Sequence, residues 1–309
     1  FSLPLPLPDT AYFALIRNFR RHSWLLLYLF GASPAVCACF VEGRPHELTR
    51  LSSDTFYLPH ATSLRMGRLG YQSDAQASIA VSYNSLASYG ASLQDAMTQP
   101  YPPYEAIGLT DGDDYRQLAT SLLQIENEFY GTIRPKRRIF QGERPLHALR
   151  ERGVEYVEVR LMDLDPFLPV GIEPATMRML DVFLLHCLLA DSPPDTPEEI
   201  GTWGRNQLLV ASRGREPGLR LLRGTQEVAL ADWGRAVVDG CAPIAAALDA
   251  ANGTHAYGDA VAAARAALDE PATTPSARVL RVMADRHGNS YSRFVLAESR
   301  RQREAILAL

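Results

Sequence analysis

The chain of 309 residues is 47% hydrophobic and 21% charged, a composition typical of a globular protein that can bury a substantial core. Its formal net charge of −4 argues against nucleic-acid binding, because domains with that function are usually basic. The four cysteines form no CxxC pair, so neither a zinc ribbon nor a thioredoxin motif is supported. We expect four free thiols, with Cys37 and Cys39 buried, as fits a reducing cytosol.

The first quarter of the chain predicts one long helix and then a break. Residues 24–41 carry no charge over 18 positions, which is the lower limit for a membrane-spanning helix. Gly31 and Pro34 lie in the middle of this stretch, and proline inside a helix removes a hydrogen bond. The pattern therefore predicts a helix from about Ala11 to Phe30 that ends at Gly31, followed by a second short apolar element.

Two segments near the middle of the chain alternate in polarity with a period of two. In 154–161, alternate apolar side chains predict one core face, while Glu158 and Arg160 lie on the other face about 7 Å apart along the strand. Residues 124–130 alternate in the same way, and a basic run follows at 133–138. We expect 124–130 and 154–161 to be strands of one sheet with a shared polar face.

This polar face has two interpretations. Alternating glutamate and arginine on a strand is often only a solvated surface, and a basic run after a strand is often an exposed loop. A carboxylate beside a guanidinium can, however, hold a metal cation and a phosphate side by side. The sequence contains no Walker A motif, no GxGxxG, no HExxH and no GxSxG, so any nucleotide would be held by a different device.

The second half of the chain predicts mainly helices. Apolar residues at helical spacing predict helices at 86–97, 174–188, 197–210, 230–251, 256–268, 276–285 and 290–309. Proline-rich residues 191–199 predict a linker. Asp163 and Asp165 are interpreted as turn residues, and the alternative is that they support the site residues from behind. We expect one catalytic domain over 1–309, with a sheet and active-site portion at 1–171 and a mainly helical portion at 172–309.

Several ordered motifs resemble the proteobacterial type of glutamate–cysteine ligase. They are Tyr28-Leu-Phe-Gly-Ala-Ser-Pro-Ala35, Leu58-Pro-His-Ala-Thr-Ser-Leu-Arg65, Gly70-Tyr71, Gln124-Ile-Glu-Asn-Glu-Phe-Tyr130, Ile133-Arg-Pro-Lys-Arg137 and Glu155-Tyr-Val-Glu-Val-Arg160. The similarity weakens beyond about Asp191. In the family, the segment similar to Phe1-Ser-Leu-Pro4 follows an interior strand, so we expect this chain to be the larger C-terminal part of a longer enzyme.

The resemblance implies an α+β fold with a glutamine-synthetase-like, mainly antiparallel sheet, flanking helices and a helix-rich C-terminal half. It implies ATP-dependent ligation of the L-glutamate γ-carboxylate to the L-cysteine amine through γ-glutamyl phosphate, the first step of glutathione biosynthesis. The implied catalytic residues are Glu158, also the metal ligand, and Arg160. The other implied roles are phosphate binding by Arg160, Arg134 and Lys136, and substrate binding by Arg65, Tyr71 and Tyr130.

The implied cofactors are ATP and Mg²⁺, with Mn²⁺ as an alternative metal. We expect a cytoplasmic monomer whose partners are these small substrates, without a nucleic-acid or membrane partner. Other metal-binding groups of the family belong to a part that would precede Phe1, so we expect this chain alone to be incomplete. Two alternatives stay open: a related carboxylate–amine ligase with another acceptor, and an inactive fragment that acts as a helical interaction module.

Overall fold

A computed structural model of the protein describes residues 8–70 and 79–308, which fold into two compact units. The described part of unit 1 comprises 8–21, 79–160 and 187–203, and that of unit 2 comprises 22–70, 161–186 and 204–308. Each unit is therefore assembled from separated parts of the sequence. The expected division into 1–171 and 172–309 stays a prediction.

The described residues form helices, short antiparallel strands and 3-10 turns. The helices are α1 Asp9–Phe30, α2 Ala38–Val41, α3 Leu86–Thr98, α4 Pro102–Ile107, α5 Pro145–Arg152, α6 Pro174–Leu189, α7 Pro197–Arg213, α8 Leu230–Asn252, α9 Ala256–Asp269, α10 Pro275–His287 and α11 Tyr291–Leu307. The strands are β1 Ala35–Cys37, β2 Thr49–Ser52, β3 Thr55–Tyr57, β4 Thr110–Asp111, β5 Asp114–Tyr115, β6 Ile133–Lys136, β7 Tyr156–Val159, β8 Arg220–Arg223 and β9 Gln226–Ala229.

Every sheet in the described ranges is small and antiparallel. One has three strands in the order β1-β3-β2, and β4-β5, β6-β7 and β8-β9 are two-stranded ribbons. Helices α8 to α11 follow one another at the C-terminal end of the sequence. The α+β class, the antiparallel pairing and the helix-rich second half are thus confirmed, as are the predicted long helices.

Helix α1 ends at Phe30, directly before Gly31, as the sequence predicts. The backbone N–H of Gly31 donates to Leu27 O over 3.0 Å, and the chain then turns toward β1. A Cβ atom at Gly31 would lie 2.5 Å from Leu27 O and 2.7 Å from Thr62 O, so only glycine fits between these two backbone carbonyls. Among the residues described, no helix combines the length and apolar character that crossing a membrane requires.

The prediction that 124–130 is a strand is wrong. This segment holds a 3-10 turn at Glu126–Glu128, and its carboxylates bond to backbone donors. Glu128 accepts from the N–H of Gln124, and Glu126 accepts from Leu146 N in the first turn of α5 over 2.9 Å. Hydrogen bonds from side chains to nearby backbone compete with strand formation, and here they favour the turn.

The expectation of four free thiols, with Cys37 and Cys39 buried, is also wrong. Cys37 is half-buried and Cys39 is exposed, and the two form a disulfide. Their Cα atoms lie 5.3 Å apart because the chain turns from β1 directly into the short helix α2, and that separation suits a disulfide. Cys187 and Cys241 are buried and form no disulfide, and burial raises the pKa of the Cys241 thiol to about 12.

Candidate active site

The β6-β7 ribbon of unit 1 carries polar side chains on one face. Arg134 pairs with Glu158 and Lys136 pairs with Tyr156 in the antiparallel register, and directly paired residues point to the same side. Arg160 extends this row, since its N–H donates to Thr132 O over 2.9 Å. The opposite face includes the buried residues Ile133 and Val157. The predicted polar side of β7 is therefore present, but the polar face shared with 124–130 is not, because β7 pairs with β6 and 124–130 is not a strand.

Glu158 lies among cations without a hydrogen bond to its inner oxygen. Oε2 is 3.7 Å from Nζ of Lys136 and 3.8 Å from Nη1 of Arg160. Both distances exceed hydrogen-bonding range, and this buried oxygen has no hydrogen-bond partner. The side chains of Glu158 and Arg160 thus approach each other more closely than the spacing of the two residues along the strand, although their ion pair is loose. A buried carboxylate oxygen in this situation is suited to accept a further donor or a cation.

Tyr130 lies beside two of these cations. The guanidinium carbon of Arg160 is 4.9 Å from the centre of the Tyr130 ring, and that of Arg134 is 5.6 Å from it. Both distances are typical of cation–π contacts, which stabilise a guanidinium through the negative face of the ring. Tyr130 is 36% exposed. The ring therefore helps to fix the spacing of the two arginines at an accessible position.

Arg134 is the buried member of this group, with only 6% of its surface exposed. Its Nη2 donates to Asn127 O over 3.1 Å, while its Nε has no hydrogen-bond partner. Burial, and then the nearby Arg160 guanidinium, lower the pKa of Arg134. A cation that is desolvated and repelled by a second cation favours an incoming anion. We call Tyr130, Arg134, Lys136, Glu158 and Arg160 the ribbon cluster.

Among the described residues, the ribbon cluster offers a metal ion one carboxylate, with cations beside it that can bind a phosphorylated ligand. In the part of the chain that the structure describes, no three His, Cys, Asp or Glu side chains are grouped to hold a metal. Glu158 can supply one carboxylate ligand through Oε2. Mg²⁺ is commonly bound by one or two carboxylates together with substrate phosphates, and three neighbouring cations suit those phosphates. This donor set is thus compatible with a metal–phosphate complex.

A second polar centre lies in unit 2 around Asp163, which the sequence interpretation treated as a turn residue. Its carboxylate accepts hydrogen bonds from Arg65 Nε at 2.7 Å, Ala32 N at 2.9 Å, Ser33 Oγ at 2.7 Å and Ser63 Oγ at 3.1 Å. Arg65 also donates from Nη2 to Met162 O over 2.7 Å. Asp163 is therefore a buried anchor that fixes the Arg65 guanidinium. Asp165 does form a turn, accepting from Phe167 N over 2.8 Å.

The structure brings some of the predicted site residues together and does not test the others. Glu158, Arg160, Arg134, Lys136 and Tyr130 form the ribbon cluster, as described above. Arg65 belongs to unit 2. Tyr71 lies outside the described residues, so the predicted convergence of Arg65, Tyr71 and Tyr130 on one cleft stays a prediction.

The protein thus has an α+β fold with a cationic cluster on an antiparallel ribbon. This arrangement is suited to the binding of phosphorylated ligands. The family model described as glutamate-cysteine ligase matches residues 7–210, so the chain belongs to the glutamate–cysteine ligase family. This confirms the resemblance seen in the sequence. Curated relatives named glutamate–cysteine ligase are 52% identical over 296 residues in Pseudomonas aeruginosa strain UCBPP-PA14 and 51% identical over 292 residues in Pseudomonas putida. They match 96% and 94% of this chain, respectively.

One solved structure agrees with this assignment, and a second shares the fold. A crystal structure of glutamate–cysteine ligase from Francisella tularensis in complex with AMP has a TM-score of 0.88 and 36% identity, and the match covers 96% of this chain and 58% of that chain. A bifunctional glutathione synthetase from Pasteurella multocida, with a TM-score of 0.66, 23% identity and coverage of 96% and 32%, shares the fold. The chain spans about half the length of its curated relatives, 56% and 55% for the two Pseudomonas proteins.

Proposed function

We propose that this chain provides the phosphate-binding part of an ATP-dependent ligase that joins the γ-carboxylate of L-glutamate to the amine of L-cysteine. The carboxylate oxygen attacks the γ-phosphorus of ATP, which yields γ-glutamyl phosphate and releases ADP. The cysteine nitrogen then attacks the acyl carbon, and inorganic phosphate leaves. The product is γ-glutamylcysteine, formed in the first step of glutathione biosynthesis.

The ribbon cluster is the observation that carries this proposal. Phosphoryl transfer brings several negative oxygens together, so catalysis depends on fixed positive charge around them. Arg134, Lys136 and Arg160 supply three cations around one carboxylate, and Arg134 is buried with an unpaired Nε. The binding of AMP by the Francisella tularensis relative supports a nucleotide in this family.

Each member of the cluster has a distinct proposed role. Arg160 contacts the transferring phosphoryl group through its planar fork, and Arg134 and Lys136 bind the other phosphate oxygens. Glu158 is the carboxylate ligand of Mg²⁺, or of Mn²⁺ in its place, and its Oε2, which has no hydrogen-bond partner, supports this role. When bound, the metal would neutralise charge on the phosphates.

Arg65, Tyr71 and Tyr130 are the proposed substrate residues. Arg65 would recognise a substrate carboxylate, and its support is the rigid setting of the guanidinium between Asp163 and Met162 O. Tyr71 and Tyr130 would line the side of the cysteine substrate. The proposal also includes a glutamine-synthetase-like sheet in the complete enzyme, a monomeric state and a cytoplasmic location, where ATP and reduced cysteine are available.

The proposal is tested with a protein of the relatives' full length that contains this chain. Glutamate labelled with ¹⁸O in its γ-carboxylate should transfer one labelled oxygen to inorganic phosphate, because the acyl phosphate breaks between carbon and oxygen. Phosphate release should require both glutamate and cysteine. Unlabelled phosphate would contradict the acyl-phosphate route, and equal turnover with another amine in place of cysteine would favour a ligase with a different acceptor.

A further inference from the structure

Unit 2 contains a cavity of about 300 Å³ whose lining includes none of the described residues proposed to bind substrate or phosphate. It is bordered by the end of α1, the segment after β7, the first turns of α6, one side of α9 and the start of α10. None of the ribbon cluster residues lines it. Its volume is in the range of small-molecule sites and is large enough for an amino acid.

Arg278 and Asp165 line this cavity with opposite charges and do not form an ion pair with each other. The exposed guanidinium of Arg278 lies 3.9 Å from the centre of the Phe167 ring and has no carboxylate within 4 Å among the described residues. Asp165 is half-buried, and one of its oxygens accepts from Phe167 N. The Arg278 charge nevertheless reaches Asp165, since it partly offsets the rise in the Asp165 pKa that burial causes. Both groups line the same cavity, and among the described residues no ion pair joins them.

The other two carboxylates that line the cavity are less suited to a buried ligand. Asp163 already accepts four hydrogen bonds from Arg65, Ala32, Ser33 and Ser63. Glu173 is exposed. Asp165 is therefore the carboxylate that combines partial burial with incomplete pairing, so a cationic group beside it would offset a desolvation cost.

The rest of the lining is mostly apolar and includes two thioethers. The apolar residues are Leu29, Phe30, Met162, Leu168, Ile172 and Met179, together with alanines of α9. Methionine side chains are flexible and polarizable, so they adapt their shape to an apolar ligand. A ligand with charged groups at one end and an apolar body at the other matches this arrangement.

We propose that this cavity binds an α-amino acid with an apolar or thioether side chain, as a zwitterion held between Arg278 and Asp165. Arg278 binds the α-carboxylate and Asp165 binds the α-ammonium group, while the side chain contacts Met162 and Met179. This site goes beyond the proposed ligase function, because it is a second amino-acid site that contributes no residue to the ribbon cluster.

Isothermal titration of this chain with L-methionine and with L-leucine tests the proposal, because neither is an expected ligase substrate. We expect saturable binding at one site. N-acetyl-L-methionine lacks the ammonium group and L-methionine amide lacks the carboxylate, so each should bind at least about tenfold more weakly. These comparisons use the unmodified protein and do not depend on the folding of any variant.

Two variants and a matched control assign the site. Asp165→Asn keeps an oxygen for Phe167 N but removes the charge, and Arg278→Gln removes the guanidinium, so both should weaken methionine binding at least about tenfold. Arg286→Gln changes another exposed arginine of α10 that does not line the cavity and should bind normally. The absence of saturable binding, or equal binding of methionine and its two analogues, would overturn the proposal.

Discussion

Nε of Arg65 donates a hydrogen bond of 2.7 Å to Oδ1 of Asp163, although 98 residues separate the two in the sequence. The side chain of Asp163 is 4% exposed, whereas that of Arg65 is 28% exposed. The same carboxylate also accepts from Ser33 and Ser63. One buried charge therefore joins the turn after α1, the segment before Arg65 and the chain that leaves β7.

Replacing Asp163 with asparagine should destabilise the protein strongly. Asparagine has nearly the same size, but it brings an NH₂ group toward donors and leaves Arg65 without its counter-charge. Breaking such a pair at one partner typically costs roughly 3 kcal/mol or more. Urea unfolding measures this loss. Asp232→Asn is the control, because Asp232 is 72% exposed in its ion pair with Arg235 and its loss should leave the urea midpoint unchanged. Equal shifts in both variants would exclude the anchoring role.

Glu158→Gln should impair the proposed ligase, and Glu155→Gln should not. The first change removes the charge at Oε2, which has no hydrogen-bond partner, and losing one electrostatic contact of this kind commonly lowers turnover roughly 10² to 10³-fold. Glu155 is exposed and is not a member of the cluster. Its carboxylate accepts a hydrogen bond of 3.0 Å from Arg138 N. Initial rates over a Mg²⁺ series in a full-length protein containing this chain measure both effects. The metal assignment fails if the two variants are equally active or share the same Mg²⁺ dependence.

Arg134→Met should weaken ligand binding without lowering the stability of the protein. Methionine fills similar space without a buried charge, so the variant should unfold at the same or a higher temperature than the parent. Its affinity for inorganic triphosphate should fall about tenfold or more, since one charge-assisted contact is lost. Thermal unfolding and titration calorimetry provide the two readouts. A large drop in unfolding temperature would instead show that Arg134 has a structural role.

Gly31→Ala should destabilise the protein by roughly 2 to 3 kcal/mol, because the new Cβ would meet two backbone carbonyls that cannot move independently. Gly204→Ala is the matched control within α7, where a Cβ has no atom within 4 Å. Gly204→Ala should leave the free energy of unfolding unchanged or raise it by up to about 1 kcal/mol, since alanine favours helix. Chemical denaturation of both variants compares them. A tolerated Gly31→Ala would contradict the close approach of Leu27 and Thr62.

The sequence predicts the helices well because their apolar stripes repeat over many residues. It predicts β7 for the same reason, but 124–130 alternates over too few positions to distinguish a strand from a turn stabilised by Glu126 and Glu128. The proline within 133–138 made that run resemble a stiff loop, although residues 133–136 form a strand that pairs with β7.

The family motifs predict more of the candidate site than the alternation of polar and apolar residues along the strands does. Glu158, Arg160 and Arg134 follow from the motifs, and the structure shows them as neighbours. The anchoring role of Asp163 could not be derived locally, because its partners are 98 to 131 residues away in the sequence. The contact of Tyr130 with two arginines likewise depends on a turn that was predicted as a strand.

The position of Tyr130 beside both Arg134 and Arg160 makes ligand binding and the stiffness of the ribbon interdependent. Two like charges within 6 Å of one ring centre repel each other, and the repulsion weakens the packing of β6 against β7. An arriving polyanion offsets that repulsion and therefore strengthens the ribbon by mass action. Hydrogen exchange at the β6 and β7 amides would then report the occupancy of the cluster.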